Sequence, residues 1–270
     1  MTLSNSNKVA WVIGASSGIG AGLANRLAKR GYEVAISARR QERLEEIAHN
    51  NNRLHAFALD VSDAAGTKAV FEAVEKELGP VDLVVFGAAN WQPNTVAEYD
   101  PEAFRNVFTV NFLGAVNTVA AVLPSMKARR SGEIALIASV AGYFGIPASG
   151  AYGAAKASLI HFAETAHTEL EPYGIRVRLV NPGFVKTDLT AKNDFPMPFI
   201  LELDDAVDRL VRGLLDTDKF EVAFPRRFVW LLKLVKLLPY PLFFAGMRRV
   251  LPSSDGKSKE GQKEKGEDGR

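Results

Sequence analysis

The sequence of 270 residues contains no cysteine, which excludes disulfides, thiolate catalysis and cysteine metal sites. This composition fits a reducing compartment. Histidine is also scarce, and the four residues are His49, His55, His161 and His167. His161 and His167 are six positions apart, so they do not share a helix face. The sequence therefore predicts no metal site.

Acidic residues are missing from one long stretch, since none occurs from Val222 to Ser254. Over the whole chain the formal net charge is +2, which is too small to indicate a nucleic-acid partner. Residues 1–7 contain no apolar run of signal-peptide length. We therefore expect no export and a cytoplasmic location.

Short apolar runs alternate with helical patterns between residues 8 and 224. The runs predict seven strands, at residues 8–14, 33–38, 54–60, 81–86, 133–138, 175–180 and 220–224. The alternation indicates a single α/β domain over residues 1–224, with one parallel sheet and helices on both faces. One predicted helix is long, from Pro101 to Arg129, and we expect Pro124 to kink or break it.

A glycine-rich turn joins the first predicted strand to the first helix. It reads Gly14-Ala-Ser-Ser-Gly18-Ile-Gly20. Close glycines let a backbone approach a pyrophosphate, and the helix start supplies free N–H groups. The spacing differs from Gly-x-Gly-x-x-Gly, and the alternative is a tight turn without a ligand. The residues predicted to contact the cofactor here are Gly14, Ser16, Ser17, Gly18, Ile19 and Gly20.

The second strand ends in Ser37-Ala-Arg39-Arg40. An acid at this position would hold the 2′-hydroxyl of NAD, whereas arginine suits the 2′-phosphate of NADP. The two arginines therefore favour NADP, and the alternative is that they are solvated residues at a helix start. Asp60 and Val61, after the third strand, could face the adenine, although Asp60 could equally serve a turn.

Tyr152 and Lys156 are four residues apart, which puts them on one helix face. An ammonium beside a phenol lowers the pKa of the phenol from about 10 and makes it a usable proton donor or acceptor. By itself the pair could be a coincidence. Ser139 ends the fifth predicted strand just upstream.

With these motifs taken together, the chain resembles the short-chain dehydrogenase/reductase family. The resemblance covers about residues 8–224. It rests on the glycine turn, Asp60-Val61, Asn111, Ser139, Tyr152-x-x-x-Lys156 and Asn181-Pro-Gly-Phe-Val-Lys-Thr187. It implies a Rossmann-type domain with a seven-stranded parallel sheet, a nicotinamide cofactor, and hydride transfer between a carbonyl and an alcohol.

The resemblance also implies catalytic roles. Tyr152 would protonate the substrate oxygen during reduction, and Lys156 would hold the nicotinamide ribose. Ser139 would hydrogen-bond the substrate carbonyl. Asn111 would anchor a water that links Lys156 to solvent; the alternative is a buried amide satisfied by backbone.

Further cofactor contacts follow from the resemblance. Pro182 and Gly183 would bend over the cofactor, Val185 would offer backbone groups, and Thr187 would offer a hydroxyl; Ala88 belongs to the same set. Two positions depart from the family pattern. Ile13 stands where threonine is usual, and Gly87-Ala-Ala stands where Asn-Ala-Gly is usual. We expect apolar packing to replace that polar link; the alternative is a looser cofactor site.

Residues 225–252 form a basic, apolar extension. Arg226, Lys233 and Lys236 are predicted to lie along one helical stripe, with Trp230 and leucines around them. An interfacial helix in peripheral contact with a membrane fits this composition. The alternatives are packing over the substrate cleft or against a second subunit. Residues 253–270 have no large apolar side chain and are expected to be disordered.

These observations predict an NADP(H)-dependent oxidoreductase that interconverts a carbonyl and a secondary alcohol. A hydrophobic small-molecule substrate is expected because Trp91, Tyr143-Phe144 and an apolar lid at residues 195–201 could surround it. The alternative is a non-catalytic nucleotide-binding or membrane-attached scaffold protein. The family resemblance implies a homodimer or homotetramer, formed through the helices that carry Asn111 and Tyr152.

Overall fold

The computed structural model describes residues 8–49, 51–92, 95–97, 100–192 and 196–250. Its seven strands are β1 (Val9–Ile13), β2 (Glu33–Ala38), β3 (Leu54–Ala58), β4 (Val81–Phe86), β5 (Gly132–Ile137), β6 (Ile175–Pro182) and β7 (Glu221–Phe224). They form one parallel sheet in the order β3-β2-β1-β4-β5-β6-β7. The predicted seven-stranded parallel sheet is thus confirmed. The predicted tail at 253–270 lies outside the described residues.

Helices cover both faces of this sheet. They are α1 (Gly18–Lys29), α2 (Gln41–Ala48), α3 (Ala64–Leu78), α4 (Pro101–Phe108), α5 (Gly114–Arg129), α6 (Gly150–Leu170), α7 (Leu203–Leu215), α8 (Arg226–Lys236) and α9 (Tyr240–Met247). Alternate residues of β1 enter different cores, since Trp11 packs with α3, α5 and α6 while Val12 packs with α1 and α7. A strand buried on both faces reads as a continuous apolar run, which explains why the strands were visible in the sequence.

The helix at residues 101–129 differs from its prediction. Pro124 lies on the exposed side and does not end the helix, which continues to Arg129. The irregularity comes earlier, where a single π-helical turn at Thr109–Leu113 joins α4 to α5. A π turn inserts an extra residue into a helix, and this one contains the buried Asn111.

The same stretch, Pro101–Arg129, is long and apolar enough to cross a membrane by length and composition alone. However, α5 packs Val119, Val122 and Met126 into the core beneath the sheet. These contacts identify it as a core helix.

The extension after β7 packs onto the domain through α8. Phe228 and Val229 are buried against Val140 and Tyr143, which follow β5. The three basic residues predicted to share a stripe, Arg226, Lys233 and Lys236, all lie in the continuous helix α8. Lys233 differs from the other two because it is partly buried and its ammonium pairs with Glu221 of β7.

Glu221 ties three segments together. Besides Lys233, its carboxylate accepts hydrogen bonds from the hydroxyl of Tyr143 (2.6 Å) and the amide of Asn181 (2.8 Å). Burial alone would raise the pKa of Glu221, but the bonds from these three partners outweigh it and lower the pKa. The carboxylate therefore stays charged and joins α8 to the end of β6.

Candidate active site

A cleft of about 480 Å³ opens at the carboxyl ends of the strands. It lies where the strand order reverses, since β1 is followed by β2 on one side and by β4 on the other, and this is where open α/β sheets bind ligands. The cleft brings together every residue predicted to contact the cofactor: Gly14, Ser16, Ser17, Gly18, Ile19, Gly20, Arg39, Arg40, Asp60, Val61, Ala88, Tyr152, Lys156, Pro182, Gly183, Val185 and Thr187. Ser139 lines it as well, whereas Asn111 does not.

The glycine turn brings its backbone close to the end of β4. Gly14 has φ +86°, and a Cβ there would lie 2.5 Å from the backbone nitrogen of Ala88. A Cβ on Gly20 would lie 2.3 Å from the carbonyl oxygen of Gly14. Both positions therefore require glycine, the first for its left-handed backbone and the second for the close approach of helix to strand.

The start of α1 has free N–H donors that can bind an anion. Ser17 is the N-cap residue, but no described side chain caps the helix and its first turn contains no acidic residue. The N–H groups of Gly18, Ile19 and Gly20 therefore lack an intrahelical acceptor and carry the positive end of the helix dipole. The same cleft holds the hydroxyls of Ser16 and Ser17. This donor set fits a pyrophosphate.

The two arginines after β2 are exposed at one end of the cleft. Ser37 cannot take over the role of an acid there, because its hydroxyl accepts a hydrogen bond from Trp11 Nε1 (2.9 Å) in the core. Asp60 is held within its own turn by the hydroxyl (2.7 Å) and N–H (2.9 Å) of Ser62. Those bonds lower the pKa of Asp60, and the residue serves its turn while also lining the cleft.

Lys156 and Tyr152 meet beside Ser139 at the inner end of the cleft. Lys156 is 1% exposed, and its Nζ donates to the carbonyl oxygen of Ile137 at 2.8 Å. The same Nζ lies 5.5 Å from the centroid of the Tyr152 ring. Ser139 Oγ accepts the N–H of Ala141 at 3.1 Å, which orients the hydroxyl at the end of β5.

The pKa values of this pair differ from the prediction. Burial raises the pKa of Tyr152 to about 12, with Ser139 acting in the opposite direction. Burial also lowers the pKa of Lys156 to about 7. The predicted lowering of the phenol pKa by the ammonium is therefore wrong for the protein alone, because the lysine is itself desolvated and its proton is directed at a carbonyl.

Asn111 lies behind the wall of the cleft in the π turn. Its side chain is fully buried and forms two hydrogen bonds with the backbone of Asn90, accepting at 2.6 Å and donating at 2.8 Å. This is the alternative that the sequence left open, a buried amide satisfied by backbone. The residue fastens the loop after β4 to the helix, and Asn90 itself lines the cleft.

The segment after β6 curves back over the cleft. The Gly183 N–H donates to the carbonyl of Phe224 at 2.7 Å, which fixes the bend. Thr190 is an additional residue of this segment that the motifs do not contain. Its hydroxyl donates to the carbonyl of Val185 (2.6 Å) and accepts the N–H of Thr187 (3.0 Å). A hydroxyl three residues after Thr187 was the available signal for this local turn.

The ends of β1 and β4 are joined despite the two departures from the family pattern. The Gly87 N–H donates to the carbonyl of Ile13 at 2.8 Å. The Ile13 side chain is fully buried in the core. The expected apolar packing is thus present, and the prediction omitted only this backbone hydrogen bond.

Of the described aromatic residues expected around the substrate, none lines the cleft itself. Trp91 packs edge-on against Tyr152, with ring centroids 5.3 Å apart. Tyr143 points to Glu221, and Phe144 packs against Phe243 of α9 at 5.4 Å. The lid prediction falls partly on Phe195, which lies outside the described residues.

Replacing Lys156 with Met is expected to remove a pH dependence of stability. In the cofactor-free protein the Lys156 pKa is lowered from 10.5 to about 7, so between these values the unfolded chain binds one proton more than the folded chain. The free energy of unfolding of the wild type should therefore rise with pH relative to Lys156→Met, by up to about 1.4 kcal/mol per pH unit. Urea denaturation at several pH values between these limits measures the difference.

Lys68→Met is the control, because Lys68 is on the surface beside Glu72 and its removal should leave the slope unchanged. If the difference between the wild type and Lys156→Met stayed flat with pH, Lys156 would be charged in the folded protein and the argument from burial would fail.

The chain is similar to known proteins both in sequence and in structure. A family model described as short chain dehydrogenase matches residues 8–196. An uncharacterised oxidoreductase of Myxococcus xanthus (strain DK1622) is 38% identical over 249 residues, covering 91% of this chain and 98% of the relative. These matches span the glycine turn, the Tyr152 helix and the segment after β6.

Two solved structures extend the comparison. A short-chain dehydrogenase from Streptomyces avermitilis superposes with a TM-score of 0.78 at 28% identity, covering 92% of this chain and 97% of that one. An actinorhodin polyketide ketoreductase, crystallised with NADPH, superposes with a TM-score of 0.73 at 26% identity, covering 80% and 94%. The similarity therefore covers the sheet and the cleft together.

Proposed function

Because this chain belongs to the short-chain dehydrogenase family, we propose that it is an NADP(H)-dependent oxidoreductase that interconverts a carbonyl and a secondary alcohol. The observation that carries the proposal is the meeting of Ser139, Tyr152 and Lys156 in the cleft that the glycine turn opens. Cofactor and proton donor then share one site.

The cofactor would be held by hydrogen-bond donors of the chain. The N–H groups at the start of α1 would bind the pyrophosphate, and Lys156 would bind the ribose next to the nicotinamide. When bound, the nicotinamide ring supplies or accepts the hydride. The chain itself handles the proton and the orientation of the substrate.

Tyr152 would act as the general acid for reduction. With its pKa raised to about 12 by burial, the hydroxyl is protonated at neutral pH and ready to donate to a developing alkoxide. Ser139 would hydrogen-bond the same oxygen and hold the carbonyl in line. In the reverse direction the Tyr152 phenolate would accept the proton of the alcohol.

The preference for NADP rests on Arg39 and Arg40. Guanidinium groups bind phosphate in a bidentate geometry, and both arginines are exposed at the cleft. The carboxylate needed for NAD is missing after β2, and Asp60 is engaged with Ser62. The ketoreductase with similar structure was crystallised with NADPH, which supports the same assignment.

A hydrophobic substrate is the second part of the proposal. Trp91 is buried and packs edge-on against Tyr152, so the surroundings of the proton donor are apolar on that side. Apolar side chains at a site raise affinity by burying apolar surface of the ligand. A ketone with an alkyl or aromatic body fits the surroundings of Tyr152 better than a small polar ketone does.

Oxidation of NADPH in the presence of a panel of ketones tests the proposal. We expect turnover with NADPH to exceed turnover with NADH, and kcat/KM to rise with the apolar area of the ketone. Spectrophotometry of the reduced nucleotide is the measurement. NADPH binding without turnover on any ketone or alcohol would instead favour a nucleotide-binding scaffold protein.

A further inference from the structure

The outward side of α8 and α9 is apolar and exposed. In α8, Trp230, Leu231 and Leu234 recur at helical spacing and are 68%, 50% and 60% exposed. We call this surface the α8–α9 face, and its apolar members are Trp230, Leu231, Leu234, Leu237, Leu238, Tyr240, Leu242 and Phe244. Most of the exposed large apolar side chains in the described residues belong to it. A contiguous apolar surface of this kind marks an interaction site.

The opposite sides of the two helices are already occupied. Phe228 and Val229 are buried against Tyr143, and Lys233 pairs with Glu221. Phe243 of α9 is buried against Phe144. The inward sides of α8 and α9 are therefore already filled, and the exposed apolar residues cannot be buried by rotating the helices. α8 thus carries apolar side chains on both its inward and its outward side.

The charge around the α8–α9 face has one sign. Arg226, Arg227, Lys236, Arg248 and Arg249 are exposed, and none of them forms an ion pair with a described residue. No acidic residue occurs from residue 222 to 254. Among the described residues, these cations on α8 and after α9 therefore have no acidic partner.

Several exposed arginines elsewhere on the described surface pair with acids. Arg30 binds Asp216 at 3.1 Å, and Arg176 binds Asp218 at 2.7 Å. The cations of the α8–α9 face, like Arg39 and Arg40 at the cleft, form no ion pair with a described residue.

The positive charge of the α8–α9 face distinguishes between the partners that could cover it. In a twofold interface the same patch would face itself, so the cations of one copy would meet the cations of the other, and like charges brought together are unfavourable. An anionic lipid surface offers negative headgroups to the cations and an acyl boundary to Trp230 and the leucines. We propose that the α8–α9 face docks this protein on an anionic lipid surface.

The α8–α9 face belongs to helices that pack next to the segments around the cleft. Phe228 packs against Phe184, within the segment that curves over the cleft, at 6.0 Å between ring centroids. Phe244 and Met247 line a small hollow with Pro147, in the loop after Ser139. Docking would bring the mouth of the cleft to the lipid, where an apolar carbonyl compound is dissolved. This last consequence rests on the proposed function, whereas docking itself does not.

Vesicle co-sedimentation of the full chain tests the proposal. Vesicles of phosphatidylcholine alone are compared with vesicles of equal parts phosphatidylcholine and phosphatidylglycerol. We expect binding to the anionic vesicles that weakens as salt is added. The triple variant Arg227→Gln, Arg248→Gln, Arg249→Gln should lose about fivefold in partition coefficient for each charge removed. The double variant Trp230→Glu, Leu234→Glu should lose at least about tenfold.

The control for charge is Lys8→Gln, Lys29→Gln, Lys219→Gln. These exposed lysines lie at the amino ends of the strands, at the edge of the sheet opposite the cleft. The control for apolar character is Tyr173→Glu, which changes an exposed ring away from α8. Both controls should bind as the wild type does. Should the double variant fail to fold, the charge variant alone decides the question.

Several outcomes would overturn the proposal. They are no binding to either vesicle, equal binding to neutral and anionic vesicles, or equal loss in the lysine control. A smaller assembly of Trp230→Glu, Leu234→Glu in size exclusion without lipid would assign the face to a second copy. NADPH turnover with a water-soluble ketone, unchanged in these variants, separates failure of docking from failure of the proposed function.

Discussion

Tyr152→Phe is expected to lower kcat by about a thousandfold. The substitution removes only the hydroxyl, so the ring still packs edge-on against Trp91 at 5.3 Å. In the wild type the raised pKa keeps the hydroxyl protonated at neutral pH, and phenylalanine has no proton to donate in its place. Single-turnover oxidation of NADPH with a reactive ketone measures the loss.

The affinity for NADPH distinguishes a chemical role of Tyr152 from a structural one. The dissociation constant for NADPH should change by less than about twofold in Tyr152→Phe, because the hydroxyl adds little to cofactor affinity. Tyr173→Phe is the matched control, since Tyr173 is exposed and its ring packs under the ammonium of Lys127. Retention of more than about a tenth of the wild-type kcat by Tyr152→Phe would disprove its role as the general acid.

The double variant Arg39→Ala, Arg40→Ala is expected to weaken NADPH binding by about a hundredfold to ten-thousandfold and to leave NADH binding nearly unchanged. Each guanidinium would form charge-assisted hydrogen bonds with the 2′-phosphate, worth about 1.5–3 kcal/mol apiece. NADH lacks that phosphate. Fluorescence titration of both reduced nucleotides gives the two dissociation constants.

Arg43→Ala supplies the control for net charge. Arg43 is exposed on α2 next to these arginines but is engaged with Glu46. Its removal should shift both affinities by less than about threefold, and this shift should shrink with added salt. Equal weakening of NADPH and NADH by the double variant would mean that Arg39 and Arg40 hold the adenosine without reading its phosphate.

The strands and the cofactor cleft could be predicted because their signals are local. β2 and β4 match their predicted bounds, since a strand buried on both faces is a continuous apolar run ended by turn residues. Asp63 caps α3 through the N–H of Gly66 at 3.0 Å, and an aspartate directly before a helix is a local signal of this kind. The Gly14 turn was recognisable because strand, glycines and helix follow each other directly in the chain.

The remaining features depend on contacts between distant residues. The Lys156 ammonium meets the carbonyl of Ile137 only after β5 and α6 pack together, so the spacing to Tyr152 gave the wrong direction for the phenol pKa. Lys233 turns inward because Glu221 lies on the neighbouring strand. The π turn around Asn111 is equally a tertiary feature, since the side chain is held by the loop after β4.

The strand order also constrains how the chain folds. β2 and β3 follow β1 directly, but the other side of β1 has to wait for β4, and the Val9 N–H reaches its partner Asp82 across 73 positions of sequence. Closing so long a loop is entropically expensive and slows folding. During synthesis β1 keeps an open edge until β4 has emerged, after which β5, β6 and β7 add one by one in chain order. The pairing of β1 with β4, beside which the cleft opens, thus joins the two neighbouring strands that are farthest apart in sequence.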